Sequence, residues 1–211
     1  MDSAEEPRRG RHSSAPSKGD RQRERIIEVT LDLLTTTSIA DLSVARIADG
    51  AGIARSGLYF YFDSKYAVLA AALDDVWAEF DEARTTPVVL DSPLPVGSIG
   101  QILRRAAQVW KAHGPLLSAC EQARNQDPRL GVMWRAFIER TTIPVTAMLV
   151  QQRDAGRLKP VSSNLPKLVE VLVRMTVGAL LSEIETGDDD SLDAAVDPLS
   201  AVWVAALTSG S

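Results

Sequence analysis

Residues 55–65, RSGLYFYFDSK, combine polar side chains that bind base edges and anions with an unusual density of rings. Arg55, Ser56 and Gly57 stand just before four consecutive aromatic residues, and five of the chain's 11 aromatic residues (4 Trp, 3 Tyr, 4 Phe) fall between positions 59 and 66. An arginine can reach guanine O6 and N7 or a phosphate, a serine offers a hydroxyl, and a glycine lets a backbone approach closely. The run of rings is too short for a core helix and adjoins no strand pattern, so its density needs another explanation.

Elsewhere, residue types that carry catalysis are scattered. The two histidines, His12 and His113, have no His, Cys, Asp or Glu neighbours at metal-ligand spacing. Cys120 has no evident base partner and is interpreted as a small buried hydrophobe. The glycines of residues 50–52 lack the third glycine and preceding strand of a dinucleotide fingerprint, and the acidic run 188–190 is interpreted as a solvated turn. These patterns argue against an enzyme, and we expect no metal and no cofactor.

Composition indicates a globular protein with its positive charge near the N-terminus. The chain has 211 residues, 45% apolar and 24% charged, with net charge −5. Residues 1–66 hold 10 Lys/Arg and 10 Asp/Glu, which leaves 13 (23 − 10) and 18 (28 − 10) for residues 67–211. A basic arm beside a neutral unit can meet phosphate, whereas the acidic remainder would be repelled by it.

The same composition bears on location. The longest uncharged run, residues 198–211, has 14 residues, fewer than the ~18 that a membrane-spanning helix needs. No apolar region follows the N-terminal arginines, so we expect no signal peptide. The single cysteine fits a reducing compartment. We therefore expect a cytoplasmic protein without a membrane partner.

Hydrophobic periodicity predicts helices along most of the chain. Residues 1–19 are rich in Ser, Pro, Gly and Arg and are predicted to be a flexible basic tail. Helical patterns begin at Asp20, cover 44–50 and 54–60, and begin again at Asp63 or Ser64. After a proline-rich connection at 85–98, further helical patterns lie near 99–113, 115–126, 128–156, 164–186 and 192–208. Pro144 is expected to kink the longest. The sequence thus predicts an all-α fold of about nine helices, with a small unit at 20–66 and a larger bundle at 67–211.

Two short predicted helices flank Gly52 and form a candidate helix-turn-helix. Ser43 is a good N-cap for the first, and Gly52 can take the left-handed conformation that ends a helix tightly. In such a motif the second helix enters the DNA major groove, so its tip carries small or polar residues such as Arg55, Ser56 and Gly57. Spacing alone equally allows these three residues to be the polar start of a helix in a unit that binds nothing.

The stretch SVARIADGAGIARSGLYFYFDSKYAVL (43–69) resembles the DNA-binding signature of the TetR family of bacterial repressors. Its two departures are Tyr61, where the family often has His, and residues 66–67, where acidic residues are common. The resemblance covers about residues 20–70. Matching positions are Ser43, Ile47, Ala48, Ala51, Gly52, Ile53, Tyr59, Phe62, Ser64, Lys65 and Val68.

The resemblance also implies which residues meet DNA, mostly at phosphates. They are Ser43, Arg46, Arg55, Ser56, Gly57, Tyr59, Tyr61 and Lys65. It explains the run of rings, because Leu58 and Phe62 are expected to pack inward while the two tyrosines offer hydroxyls to phosphate. Lys65 would add a positive charge. For Phe60, both a core and a surface position stay open.

The C-terminal part is predicted to be a receptor domain. Its four tryptophans fall in different predicted helices and could either pack a core or line an apolar pocket. The layout resembles the EthR-type members of the family, which implies a pocket lined near Trp110, Trp134, Phe137, Thr141, Thr176 and Trp203. Its polar anchor would be Thr176, Arg174 or Glu183.

Residues 165–184 are apolar almost all round, which predicts that this helix and helix 192–208 pair with a second copy across a twofold axis. A twofold dimer would match a palindromic operator. The favoured hypothesis is a repressor released from DNA by a small apolar effector. The alternatives are a non-inducible architectural DNA-binding protein and an all-α enzyme.

Overall fold

The chain is all-helical in the part that the structure describes. The structure is a computed structural model and describes residues 17–85, 96–186 and 191–210. Its helices are α1 (Lys18–Leu34), α2 (Val44–Gly50), α3 (Arg55–Tyr61), α4 (Lys65–Thr85), α5 (Val96–Ala123), α6 (Pro128–Asp154), α7 (Leu165–Thr186) and α8 (Ser191–Thr208). The all-α prediction is confirmed. None of these helices is both long enough and apolar enough to cross a bilayer.

The number of helices differs from the predicted nine because two predicted helices are joined. The sequence pattern separates 99–113 from 115–126, but both belong to α5. Pro115 has no N–H to donate and its ring crowds the preceding turn, which favours a local break. The break is confined to His113 (φ −118°, ψ 15°), after which the helix resumes. The Gly-Pro pair therefore produces a kink where the sequence predicted a connection.

Several helix starts follow directly from their capping residues. Ser17 and Asp20 form a reciprocal capping box, in which each side chain accepts a hydrogen bond from the other residue's backbone N–H, so α1 begins two residues before the predicted Asp20. The Ser43 hydroxyl caps α2 as predicted, and Asp127 caps α6 ahead of Pro128. Predicted features at residues 1–16, 86–95 and 187–190 lie outside the described residues.

Helix α4 links the three N-terminal helices, here called the head, to the C-terminal bundle. It packs against α1 at one end and against α5 and α6 along its length. In the bundle α5 packs against α7 and α8, and α6 against α7. Buried side chains form one continuous core from Ile26 in α1 through Leu69 in α4 to Leu207 in α8. A displacement of α4 therefore acts on both parts of the molecule.

Candidate nucleic-acid interface and aromatic core

The turn between α2 and α3 is held by one glycine in the left-handed region. Gly52 has φ +67°, and the N–H groups of Gly52 and Ile53 donate to the carbonyls of Asp49 and Ala48 at 3.1 and 3.0 Å. Gly50 approaches α1 closely, since a Cβ there would lie 2.6 Å from Val29 Cγ1. These two glycines fix the angle at which α3 leaves α2 and the packing of α2 on α1.

Helix α3 has one buried side and one exposed side. Leu58 is fully buried and Phe62, at the helix end, is 5% exposed, as the sequence predicted for both. Arg55 and Ser56 are exposed, Tyr59 is 44% exposed and Phe60 is 84% exposed. The exposed side therefore presents a cation, a hydroxyl, a phenol and an apolar ring.

Arg55 and Tyr59 lie one turn apart and contact each other. The Arg55 guanidinium carbon lies 5.9 Å from the centre of the Tyr59 ring, and Nη2 donates to the phenol oxygen at 3.4 Å. This contact aligns the two polar groups along one edge of α3. Both then point to the same side of the helix, where they can bind phosphate or base edges together.

Contacts within the described fold do not explain why residue 57 is a glycine. A Cβ placed there would lie 3.7 Å from the Ile53 Cβ, an ordinary van der Waals distance, and Gly57 does not have a positive φ. A methyl group is thus compatible with this fold. Packing and backbone conformation therefore give no reason for a glycine at this position.

Three further predicted contacts lie around α3. Ser43 and Arg46 are exposed at the start of α2, where the serine hydroxyl accepts from the Arg46 N–H at 3.2 Å. Tyr61 is half-buried and packs on the core, with its ring edge-on to Phe60 at 5.1 Å. Helices α2 and α3 pack against each other, and the contact of Ser43, Arg46 and Tyr61 with DNA stays a prediction.

Lys65 has a partner that the sequence did not indicate. Its ammonium donates to the carbonyl oxygens of Ile39, Ala40 and Leu42 in the connection between α1 and α2. Burial lowers the pKa of Lys65, and the nearby charge of Asp41 opposes that shift. Lys65 thus ties the start of α4 to the head, and its phosphate contact stays a prediction.

A polar contact between the bundle and the head was also missed. Arg129, in the first turn of α6, lies 3.5 Å from the Asp63 carboxylate and 3.4 Å from the Ser64 hydroxyl, just before α4. The Tyr66 hydroxyl donates to Gln126 Oε1 at 2.7 Å. These pairs are more than 58 positions apart in sequence, and no local pattern signals them.

The N-cap of α6 is part of this contact. Burial acts to raise the pKa of Asp127, but hydrogen bonds from the Arg129 side chain and backbone, together with the guanidinium charge, outweigh burial and lower it. The Asp127 carboxylate accepts from the Arg129 backbone N–H at 2.8 Å and lies 3.3 Å from Nη2. The ionised carboxylate therefore orients Arg129 toward the head.

Three of the six predicted ligand-lining residues meet in one aromatic cluster. Ring centres of Trp110 and Trp134 are 6.4 Å apart, Trp110 and Phe137 6.3 Å, and Trp134 and Phe137 6.0 Å. A fourth ring, Trp77 of α4, stacks on Phe137 at 4.3 Å and 9°. The cluster thus joins α4, α5 and α6 through direct ring contacts.

The other predicted lining residues behave differently. Trp203 Nε1 donates to Thr176 Oγ1 at 3.0 Å, and that hydroxyl donates to the Leu172 carbonyl, so the pair satisfies itself within α7 and α8. Thr141 is half-buried. Sequence analysis missed Thr142 and Thr146, whose buried hydroxyl oxygens have no hydrogen-bond partner among the described residues. Their i, i+4 spacing, which places both threonines on one side of a helix, was the sequence pattern that could have indicated them.

The head, with its Gly52 turn and polar α3, defines a helix-turn-helix DNA-binding regulator. Residues 26–72 match the family described as bacterial regulatory proteins, tetR family. This match and the curated relatives support a TetR-family transcriptional regulator. It is 29% identical over 205 residues to the HTH-type transcriptional regulator EthR of Mycobacterium tuberculosis, covering 94% of this chain and 92% of that protein. EthR of Mycolicibacterium smegmatis is also 29% identical, over 70% of this chain and 68% of that protein.

Solved structures share the fold. A TetR transcription regulator from Haloarcula marismortui has a TM-score of 0.69 at 21% identity, over 89% of this chain and 99% of that one. The fatty acid degradation regulator FadR from Bacillus halodurans has a TM-score of 0.68 at 14% identity, over 90% of this chain and 97% of that one. The curated relatives are transcription regulators, so the chain is a regulator and not an enzyme.

Proposed function

We propose that this protein is a cytoplasmic homodimeric repressor that binds a palindromic operator and leaves it when a small apolar effector binds the bundle. The observation that carries the proposal is the exposed side of α3. Arg55, Ser56 and Tyr59 share that side, and the neighbouring half-buried Gly57 has no side chain although the fold tolerates a methyl group. A helix with these properties beside a Gly52 turn is suited to the major groove.

Dimerisation is supported by the outer sides of α7 and α8. Val171 of α7 is 52% exposed and Val202 of α8 is 45% exposed. Gly178, midway along α7, is exposed and has no atom within 4 Å of a Cβ placed there. Exposed apolar and small residues on two neighbouring helices let a second copy approach closely, and twofold pairing would present two α3 helices to two half-sites.

The aromatic cluster supports an effector site and suggests how it acts. The ring centres of Trp110, Trp134 and Phe137 lie 6.0 to 6.4 Å apart, so an apolar effector that binds among them would have to separate the rings. Phe137 stacks on Trp77, and that ring belongs to α4. An effector that displaces Phe137 therefore shifts α4, and with it the head, if it binds the displaced arrangement more tightly.

The hydrogen bonds of the bundle also bear on which residues could bind a polar group of the effector. The Thr176 hydroxyl is engaged by Trp203 and by the Leu172 carbonyl, which weakens its case as a polar anchor. Thr142 and Thr146 on α6 each have a buried hydroxyl without a hydrogen-bond partner in the described part of the chain. We infer that the effector is mostly apolar with one hydrogen-bonding group that these threonines can bind.

A non-inducible architectural protein is the second candidate, because the close ring packing of the aromatic cluster also suits a solid core. The two functions differ in sequence preference. Operator selection from random DNA, followed by gel shifts at about 150 mM salt, should yield one palindrome bound at least 10³-fold more tightly than unrelated DNA. Equal binding to all sequences would instead support the architectural function.

The effector is tested separately by tryptophan fluorescence. A library of small apolar molecules is titrated into the protein–operator complex, with emission and DNA release recorded together. A ligand that changes emission and releases DNA supports induction. A ligand that changes emission but leaves the DNA bound would contradict it.

A further inference from the structure

Phe60 is the most exposed large apolar side chain in the described part of the molecule. Its exposed fraction is 84%, against 67% for Ile143 and 56% for Val132. It lies near the C-terminal end of α3, one turn after Ser56 and next to Tyr59. An isolated exposed apolar residue is ordinary on a protein surface, but this one stands among the residues proposed to face DNA.

The fold does not use Phe60 for its own stability. Leu58 and Phe62 anchor α3 in the core, at 0% and 5% exposure. Phe60 instead rests edge-on against Tyr61, with 5.1 Å between ring centres and planes at 85°. Because Tyr61 packs on the core, this contact limits the directions that the Phe60 ring can take.

The chemistry of the ring restricts what it can recognise on DNA. A phenyl ring has no donor for a phosphate oxygen and none for guanine O6 or N7. In the major groove, the apolar feature that distinguishes one natural base pair is the C5 methyl group of thymine. The neighbouring residues Arg55, Ser56 and Tyr59 supply the polar contacts, which leaves Phe60 to make the apolar one.

We propose that Phe60 reads the C5 methyl group of one thymine in each operator half-site and so helps to determine sequence specificity. This inference rests on the proposed operator binding by α3. The contact would bury a methyl group against the exposed ring. It would favour a T·A pair over other pairs at that position, without contributing a hydrogen bond.

The test uses the full-length protein and the palindrome obtained by selection. Each thymine pair is replaced in turn by deoxyuridine, which removes the methyl group and keeps base pairing. Removal of one buried methyl group per half-site should weaken binding about fourfold for each half-site, or about 15-fold for the dimer. We expect this loss at one symmetric pair of positions. Phe60→Ala should bind the thymine operator more weakly and lose its preference for thymine over deoxyuridine there.

A second substitution separates the methyl group from the identity of thymine. At the sensitive position, cytosine is compared with 5-methylcytosine, which carries the same methyl group on a different base. The wild-type protein should prefer the methylated form, and Phe60→Ala should not. Val132→Ala, at an exposed residue of α6, is the matched control and should keep the wild-type preferences.

The outcomes distinguish this inference from the function on which it rests. If the wild-type protein selects no palindrome, operator binding itself is wrong. If it selects one but deoxyuridine changes nothing at any position, only the role of Phe60 is overturned. A Phe60→Ala loss that is equal on thymine and deoxyuridine operators would also overturn it, because the ring would then be packing on sugar or between base steps. Circular dichroism should show an unchanged helical fold.

Discussion

Two glycines near the turn, Gly52 and Gly57, differ in what a side chain would do to the fold. Gly52 has φ +67°, where a side chain is strained even though the space around it is open. Gly57 has room for a methyl group and no positive φ. Substitution at Gly52 should therefore harm the fold, whereas substitution at Gly57 should harm only what meets α3.

Gly57→Ala is the corresponding test of the DNA-facing surface. We expect unchanged or slightly higher stability, by up to about 1 kcal/mol, because alanine favours a helix. We expect operator affinity to fall about tenfold or more, because in the proposed complex the added methyl group would hold α3 away from the DNA. Thermal unfolding and fluorescence anisotropy measure the two effects. Gly52→Ala serves as the comparison and should lose about 1–2 kcal/mol of stability. Normal operator binding by the Gly57→Ala variant would show that α3 does not lie in the DNA interface.

Lys65→Met tests whether this lysine holds the head together. Methionine keeps the aliphatic stem but removes the three donors to the carbonyls of Ile39, Ala40 and Leu42. We expect the free energy of unfolding to fall by about 1–2 kcal/mol, as measured by urea denaturation. A variant with wild-type stability and weaker DNA binding would show that Lys65 acts only on phosphate.

For single residues, the sequence predicts well which side chains face the core and which face the solvent, but it does not predict which other residues they contact. Leu58 and Phe62 are buried as their spacing indicated. The carbonyl contacts of Lys65 depend on where the connection between α1 and α2 lies, and no local pattern records that position. The Trp203–Thr176 hydrogen bond likewise cannot be predicted from a local pattern, because it joins residues of two different helices.

Among the elements, the Asp127 carboxylate binds the arginine through which α6 contacts the residues just before α4. Asp127→Asn keeps a good N-cap but removes the charge that orients Arg129. Because the pKa of Asp127 is lowered in the folded state, its contribution is present above the ordinary value near 3.8 and is lost as pH falls through the lower folded value. The variant should therefore be less stable than the wild type at pH 7, with the difference shrinking below about pH 4. Thermal unfolding across this range measures it, and a difference independent of pH would contradict the ionic role.

Arg129→Ala tests whether the same contact steadies the head. Without the guanidinium, Asp63 and Ser64 lose their partner in α6, and amide hydrogen exchange should quicken around residues 63–67. Because the pair is exposed, global stability should change by less than about 1 kcal/mol. Arg135→Ala, at another exposed arginine of α6, is the control and should leave exchange unchanged. If amide exchange at residues 63–67 is equally slow in both variants, the stacked rings of Trp77 and Phe137 would be the contact that couples the bundle to the head.

Helix existence and type are largely readable from the sequence, whereas helix continuity is not. The caps at Ser43 and Asp127 give correct starts. The pair Gly114 and Pro115 predicted a connection, yet α5 resumes after a kink at His113 and packs against α4, α7 and α8. Tertiary contacts of this kind outweigh the local cost of a proline.

For the whole molecule, dimer formation has a direct test. Val202→Glu places a charge on the proposed α8 surface, and Val132→Glu places the same charge at a similarly exposed valine of α6. We expect the first variant to have the mass of one 22.8 kDa chain by light scattering and the second to have twice that mass, as the wild type should. The Val202 variant should also bind the operator far more weakly, because one head reaches only one half-site. A dimeric Val202 variant would place the interface elsewhere.

The central claim is that α3 of this protein recognises a specific DNA sequence. The most direct measurement is the fluorescence anisotropy of a labelled duplex carrying the selected palindrome, titrated with the protein at about 150 mM salt beside a shuffled duplex of equal length. We predict a Kd for the palindrome at least 10³-fold lower than for the shuffled duplex, and loss of that difference in an Arg55→Ala, Tyr59→Phe double variant that remains folded. Equal affinity for both duplexes, or an undiminished preference in the double variant, would contradict the account.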